Sequence, residues 1–221
     1  MQRFLFAITL LLPYPFCPQL AAEDLKPERW EKEIAEIEVR IEVGKSPEGS
    51  VLFVGSSSIR LWKLDESFPE LKTSNHGFGG SHLSDSVHFF DRIVAPVKPS
   101  VIVVYAGDND IAAGKAPETV HADFSRFADL VHQKVPTCRK VIYIAIKPSV
   151  KRWALAEQAR KSNSLIEATC EKNSNLLFAD IWVPMLNAEG MPRPDLLVED
   201  GLHMNADGYR IWTEILTPHL Q

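Results

Sequence analysis

Short runs of apolar residues alternating with longer amphipathic segments restrict this chain to very few folds. Residues 51–54, 101–105 and 141–146 are continuous apolar runs, the pattern of strands buried on both faces. Residues 176–181 read as a fourth strand and residues 72–75 as a weaker fifth. Between them lie helical patterns. Residues 28–43 place Trp30, Ile34, Ile37 and Ile41 at three- and four-residue steps, an apolar stripe on one helix face. Residues 83–93, 117–133, 153–171 and 206–216 are the other helical segments, and Pro117 suits a helix start, where its missing N–H is not needed. Strands alternating with helices predict an α/β fold: a three-layer α/β/α sandwich around a parallel five-stranded sheet. In such sheets the functional site gathers at the carboxyl ends of the strands. A length of 221 residues suits one domain.

Charge removes one class of function. Lys+Arg number 24 against 29 Asp+Glu, a net charge of -5, and no basic run breaks the pattern. No nucleic-acid partner is therefore expected.

Residues 1–22 stand apart. Arg3 is their only charge, and residues 4–12 form an apolar run interrupted only by Thr9. That run is too short to span a bilayer. Pro13, Pro15 and Pro18, then Ala21 and Ala22, follow it. The expectation is a secretory signal cut near Ala21–Glu23, a mature domain over residues 23–221, and export to the periplasm or beyond without stable membrane insertion. Cys17 lacks the small residues before it that a lipoprotein site needs. Cys138 and Cys170 remain; both lie near the leading ends of neighbouring strands, and a bridge and two separate buried thiols are both open readings.

Four segments fall just past strands or just before the last helix. Gly55-Ser56-Ser57-Ser58 follows the first strand; a serine there is a nucleophile or a helix cap. It has neither GxGxxG nor a GK[ST] ending, so a phosphate cradle is poorly supported. Gly79 and Gly80 follow the second strand, where a backbone N–H can approach a substrate or merely turn the chain. Asn109, in Gly107-Asp108-Asn109-Asp110 after the third strand, can donate to an oxyanion without adding charge; the simpler reading is a polar turn. Asp200 precedes His203 by three residues, close enough to orient a general base. Each has a bland reading when taken alone.

In order, Gly55-Ser56-Ser57, Gly80, Gly107-Asp108-Asn109-Asp110 and Asp200-Gly201-Leu202-His203 resemble the four signature blocks of the SGNH hydrolases, the GDSL-like esterases and lipases. The resemblance covers the whole mature chain and implies the flavodoxin-like SGNH form of the sandwich. It implies Ser57 as nucleophile, His203 as base and Asp200 as its partner. Ser57, Gly80 and Asn109 would form the oxyanion hole. Ser56 stands where the family usually has Asp; Ser58 and Gly79 are the alternative assignments.

The implied chemistry is acyl transfer through a covalent intermediate, with no cofactor. His76, His82, His88, His121 and His132 show no metal-ligand spacing. Lys147 and Arg193 are candidate substrate contacts, with Arg152 and Trp153 as further pocket residues and Arg60 and Trp62 as packing of the first helix. The expected function is a serine esterase acting on short, acetyl-type esters, with a small molecule or carbohydrate ester as substrate. The rivals are a lysophospholipase or thioesterase, a non-catalytic binding module, and a flavodoxin-like cofactor binder.

Overall fold

The computed structural model describes residues 26–220. The first 22 residues, with their expected signal, lie outside the described residues. Five strands form one parallel sheet in the order β2-β1-β3-β4-β5. They are β1 Val51–Gly55, β2 Thr73–Gly77, β3 Val101–Tyr105, β4 Lys140–Ile144 and β5 Leu176–Ala179. Because β1 pairs with β2 on one side and β3 on the other, the chain reverses its winding there. The crevice of such a sheet opens at that point.

The continuous apolar runs are explained by cover on both faces. Leu52, Val54, Ile102, Val104, Val141 and Tyr143 point into one core. Val51, Phe53, Val101, Val103, Ile142 and Ile144 point into the other, as the two-residue period of a strand requires. Helices α1 (Glu31–Glu42), α4 (Leu83–His88), α5 (Phe90–Ile93), α7 (Pro117–Lys134) and α8 (Ala156–Cys170) cover the first face. The short helices α2 (Ser57–Arg60) and α3 (Leu64–Ser67) and the last helix, α9 (Ala206–Leu216), cover the second. Helix α6 (Asp108–Ala112) follows β3 directly.

Two helical expectations need correction, and the open reading of the cysteines is decided. The stretch 83–93 is two helices, not one: the chain turns at Phe89 (φ −89°, ψ 9°), and both Phe89 and Phe90 are thereby buried. The first helical segment begins as a 3-10 turn over Pro27–Trp30 before α1 starts. Cys138 and Cys170 are free thiols, not a bridge. Burial pushes the Cys138 thiol up to about 11 and the Cys170 thiol up to about 12, far from reactive thiolates.

Strand β2 was the weakest sequence signal because it is polar, Thr-Ser-Asn-His-Gly. Its polar groups are satisfied from outside the sheet. Asn75 donates to the Ile59 carbonyl at 2.7 Å. Ser74 and Ser50 share a hydrogen bond of 2.8 Å. His76 is fully buried, with Nδ1 2.6 Å from the Ile93 carbonyl and Nε2 2.8 Å from the Ser46 hydroxyl. The carbonyl can only accept, so Nδ1 carries the proton and the Ser46 hydroxyl donates to Nε2.

Candidate active site

Each candidate segment sits at the carboxyl edge of the sheet. Ser57 opens α2 two residues past β1, and Asn109 lies in α6 just past β3. Gly55, at the end of β1, has φ +134°, and a Cβ there would stand 2.0 Å from the Tyr105 carbonyl oxygen. No other residue type lets β1 lie so close to β3 and still turn into α2.

The Ser57 hydroxyl donates to His203 Nε2 at 2.9 Å. On the other side of the ring His203 Nδ1–H donates to Asp200 Oδ2 at 2.5 Å. Asp200 Oδ1 also accepts the backbone N–H groups of Leu202 and His203, at 2.8 and 2.9 Å. Partial burial would raise the Asp200 carboxyl, but these hydrogen bonds outweigh it and hold the group well below the usual carboxylate range. The turn that carries both residues is pinned by the Leu197–Met204 bridge and by Val198 N–H donating to the His203 carbonyl at 2.9 Å. A hydroxyl, an imidazole and a carboxylate thus stand in one hydrogen-bonded chain, an arrangement that nucleophilic catalysis can use.

A cavity of about 400 Å³ opens on these groups, lined by Ser57, Gly79, Gly80, Asn109 and His203 together with Arg60, Arg152, Leu202 and Glu33. Among the described residues neither the Ser57 nor the Gly80 N–H donates to a backbone carbonyl. The Asn109 amide donates to the Ser81 carbonyl at 3.0 Å and accepts from Arg152 Nη2 at 2.9 Å. Gly80 takes φ +77°, and Trp30 packs against it.

The other serines differ in setting. Ser58 is buried, with its carbonyl taken by the Tyr209 hydroxyl at 2.9 Å. Ser56 is buried too, and its hydroxyl has no hydrogen-bond partner among the described residues. Trp62 is packing: it is buried, and it stacks on Tyr209 at 5.5 Å between ring centroids.

The structure does not bring Lys147 or Arg193 to this cavity. Lys147 lies past β4, as expected, but its side chain turns inward and is 1% exposed. It pairs with Asp108 at 3.3 Å and donates to the Tyr105 hydroxyl at 3.1 Å. Arg193 is folded back on its own loop, 2.6 Å from Asp195. Arg152 and Arg60 are the cations that do face the cavity. Glu33 was missed by sequence reasoning: nothing in a helix 24 residues upstream of Ser57 signals that it returns to the site. Among the described residues no three His, Cys, Asp or Glu side chains cluster as a metal site, and no helix is long and apolar enough to cross a membrane.

Comparison with known proteins places the fold and the family. Residues 60–211 match the model of the GDSL-like Lipase/Acylhydrolase family, a span that starts just past Ser57. Rat platelet-activating factor acetylhydrolase IB subunit alpha2 is 27% identical over 176 residues, covering 75% of this chain and 73% of its own. Among solved structures, a GDSL-like lipase from Bacteroides thetaiotaomicron superposes with a TM-score of 0.68 at 23% identity, over 88% of this chain and 97% of that one. An acetylxylan esterase from Geobacillus stearothermophilus superposes with a TM-score of 0.61 at 16% identity, over 79% and 95%. With most of its length matched by the family model and its sheet shared with these hydrolases, the chain belongs to the GDSL-like lipase/acylhydrolase family, within the SGNH hydrolases.

Proposed function

We propose that this hydrolase is a serine esterase that cleaves short, acetyl-type esters through Ser57, His203 and Asp200. The observation that carries the reading is the unbroken relay from the Ser57 hydroxyl through the His203 ring to Asp200. His203 Nε2 takes the Ser57 proton as Oγ attacks the ester carbonyl. Asp200, ionised over the whole neutral range, stabilises the imidazolium so formed. The Ser57 and Gly80 N–H groups and the Asn109 amide hold the tetrahedral oxyanion. The protonated His203 then gives its proton to the leaving alcohol, and the acyl-enzyme forms. Water, deprotonated by His203, attacks that acyl group and releases the acid and free Ser57.

Short acyl groups are favoured by the form of the surface. The site cavity is open and edged by Arg60, Arg152 and Glu33, a polar rim that suits a small molecule or a carbohydrate ester. A second, more apolar groove of about 480 Å³, lined by Leu61, Trp62, Met204 and Tyr209 among others, shares none of its residues with the site. A lysophospholipase or thioesterase needs such a channel at Ser57 itself. We further propose that residues 1–22 are removed on export, leaving the 23–221 domain in the periplasm or outside the cell; Arg3 and the apolar run after it support this.

The test is hydrolysis of p-nitrophenyl esters from acetate to palmitate by wild type, Ser57→Ala and Ser58→Ala. Fastest turnover on acetate, lost in Ser57→Ala and kept in Ser58→Ala, is the expected result. Equal activity in wild type and Ser57→Ala would overturn the reading.

A further inference from the structure

We infer that Arg152 is a positioning residue of the oxyanion hole, fixing which way the Asn109 amide faces and setting a positive charge behind it. The inference rests on the acyl-transfer reading above and adds a group to it. An asparagine amide has two nearly isosteric orientations, and only its hydrogen-bond partners choose between them. Here the choice is forced. Arg152 Nη2, which can only donate, lies 2.9 Å from Asn109 Oδ1. The Ser81 carbonyl, which can only accept, lies 3.0 Å from Asn109 Nδ2. A flipped amide would set N–H against guanidinium and oxygen against oxygen. In the observed orientation Nδ2 uses one hydrogen on Ser81, and its second belongs to the cavity that Asn109 lines. A full cation on Oδ1 also draws electron density through the amide and strengthens that N–H as a donor.

Arg152 is itself held from behind. Its Nη1 is 3.0 Å from Asp108 Oδ2, and the same carboxylate oxygen is 3.3 Å from Lys147 Nζ. Burial works to raise the Asp108 carboxyl, but the two cations outweigh it and keep the group below its ordinary value. Two cations therefore share one carboxylate in a region where the Asp108 and Lys147 side chains are 9% and 1% exposed. Tying the segment after β4 to α6 needs only the Lys147–Asp108 pair. The second cation does what the first cannot: Arg152 spans from the Asp108 carboxylate to Asn109 Oδ1. Its charge reaches the cavity through the Asn109 amide it holds, and that amide meets negative charge only during the reaction, so the benefit appears in the transition state.

The test is a double-mutant cycle on p-nitrophenyl acetate with Arg152→Met, Asn109→Ala and the double variant. Arg152→Met is expected to lower kcat by about 10²-fold, the loss typical of one oxyanion donor, with KM changed less than about threefold. In the Asn109→Ala background the same substitution should cost less than about threefold, because the amide it acts through is gone. Arg152→Lys, which keeps the charge but not the two-pronged geometry, should fall between wild type and Arg152→Met; it serves for the cycle if Arg152→Met does not fold. An equal loss in both backgrounds, or a loss carried by KM alone, would overturn the inference. Wild-type turnover in Ser57→Ala would instead defeat the acyl-transfer reading beneath it.

Discussion

The Tyr209 hydroxyl donates to the Ser58 carbonyl at 2.9 Å, joining residues 151 positions apart. The last helix is thereby latched to the turn that carries Ser57, and the His203 loop that precedes it is held against its target. Tyr209 also stacks on Trp62, so Tyr209→Phe keeps the ring packing and removes only the hydrogen bond. We expect a loss of about 1 kcal/mol. Thermal unfolding should fall by about 2–4 °C for a domain of this size.

Gly80→Ala tests the block after β2. The residue has φ +77°, and an added Cβ would sit 3.3 Å from the Trp30 ring. A side chain in the left-handed region costs about 1–2 kcal/mol, and relaxing it would move the N–H assigned to the oxyanion hole. Both stability and kcat should drop, with kcat down at least about tenfold if that donor is displaced. Steady-state kinetics beside a melting curve separates the two.

His76 makes stability depend on pH. Burial is the main reason its pKa is lowered from 6.5 to about 4; the Ile93 carbonyl bond opposes this and Arg40 adds to it. Below pH 6.5 the unfolded chain takes up a proton at this position while the folded chain does not. Stability from this group is therefore complete above the unfolded pKa and is lost as pH falls towards about 4. The total is about 3 kcal/mol at most. Asp110 works against it: burial foremost raises its carboxyl to about 6, so its contribution shrinks as pH rises from near 4 through 6. Urea unfolding of wild type and His76→Asn across this range isolates the histidine. The variant should be less stable at neutral pH and show a shallower loss on acidification.

The two thiols should be silent. Cys138 and Cys170 are unpaired and shielded, so dithiothreitol should leave the melting temperature unchanged. Ellman's reagent should label both at full rate only after denaturation; a melting temperature that falls on reduction would show a bridge.

Much of this molecule is legible in the order of its residues. Residues 101–105 and 206–216 are the observed β3 and α9 to the residue. They are legible because a strand covered on both faces must be apolar throughout and an amphipathic helix must repeat its stripe. The polar β2 was legible only as a weak strand, and the break at Phe89 was not legible. Asn75 and His76 become tolerable in a strand only through Ile59, Ile93 and Ser46, which arrive from other segments of the chain.

For the candidate site, the parts and their order are readable along the chain: a serine past β1, glycines past β2, an asparagine past β3, and Asp and His before α9. Parallel strands deliver whatever follows them to one edge of the sheet, so chain position alone brings these segments together. Which way a long side chain turns at that edge depends on the folded surroundings. Lys147 and Arg152 stand five residues apart, yet Lys147 is drawn under the surface by Asp108 while Arg152 reaches over to Asn109, 43 residues away. Both cations meet the same Asp108 oxygen, and only the packing around each, beneath the surface for Lys147 and beside the cavity for Arg152, distinguishes them.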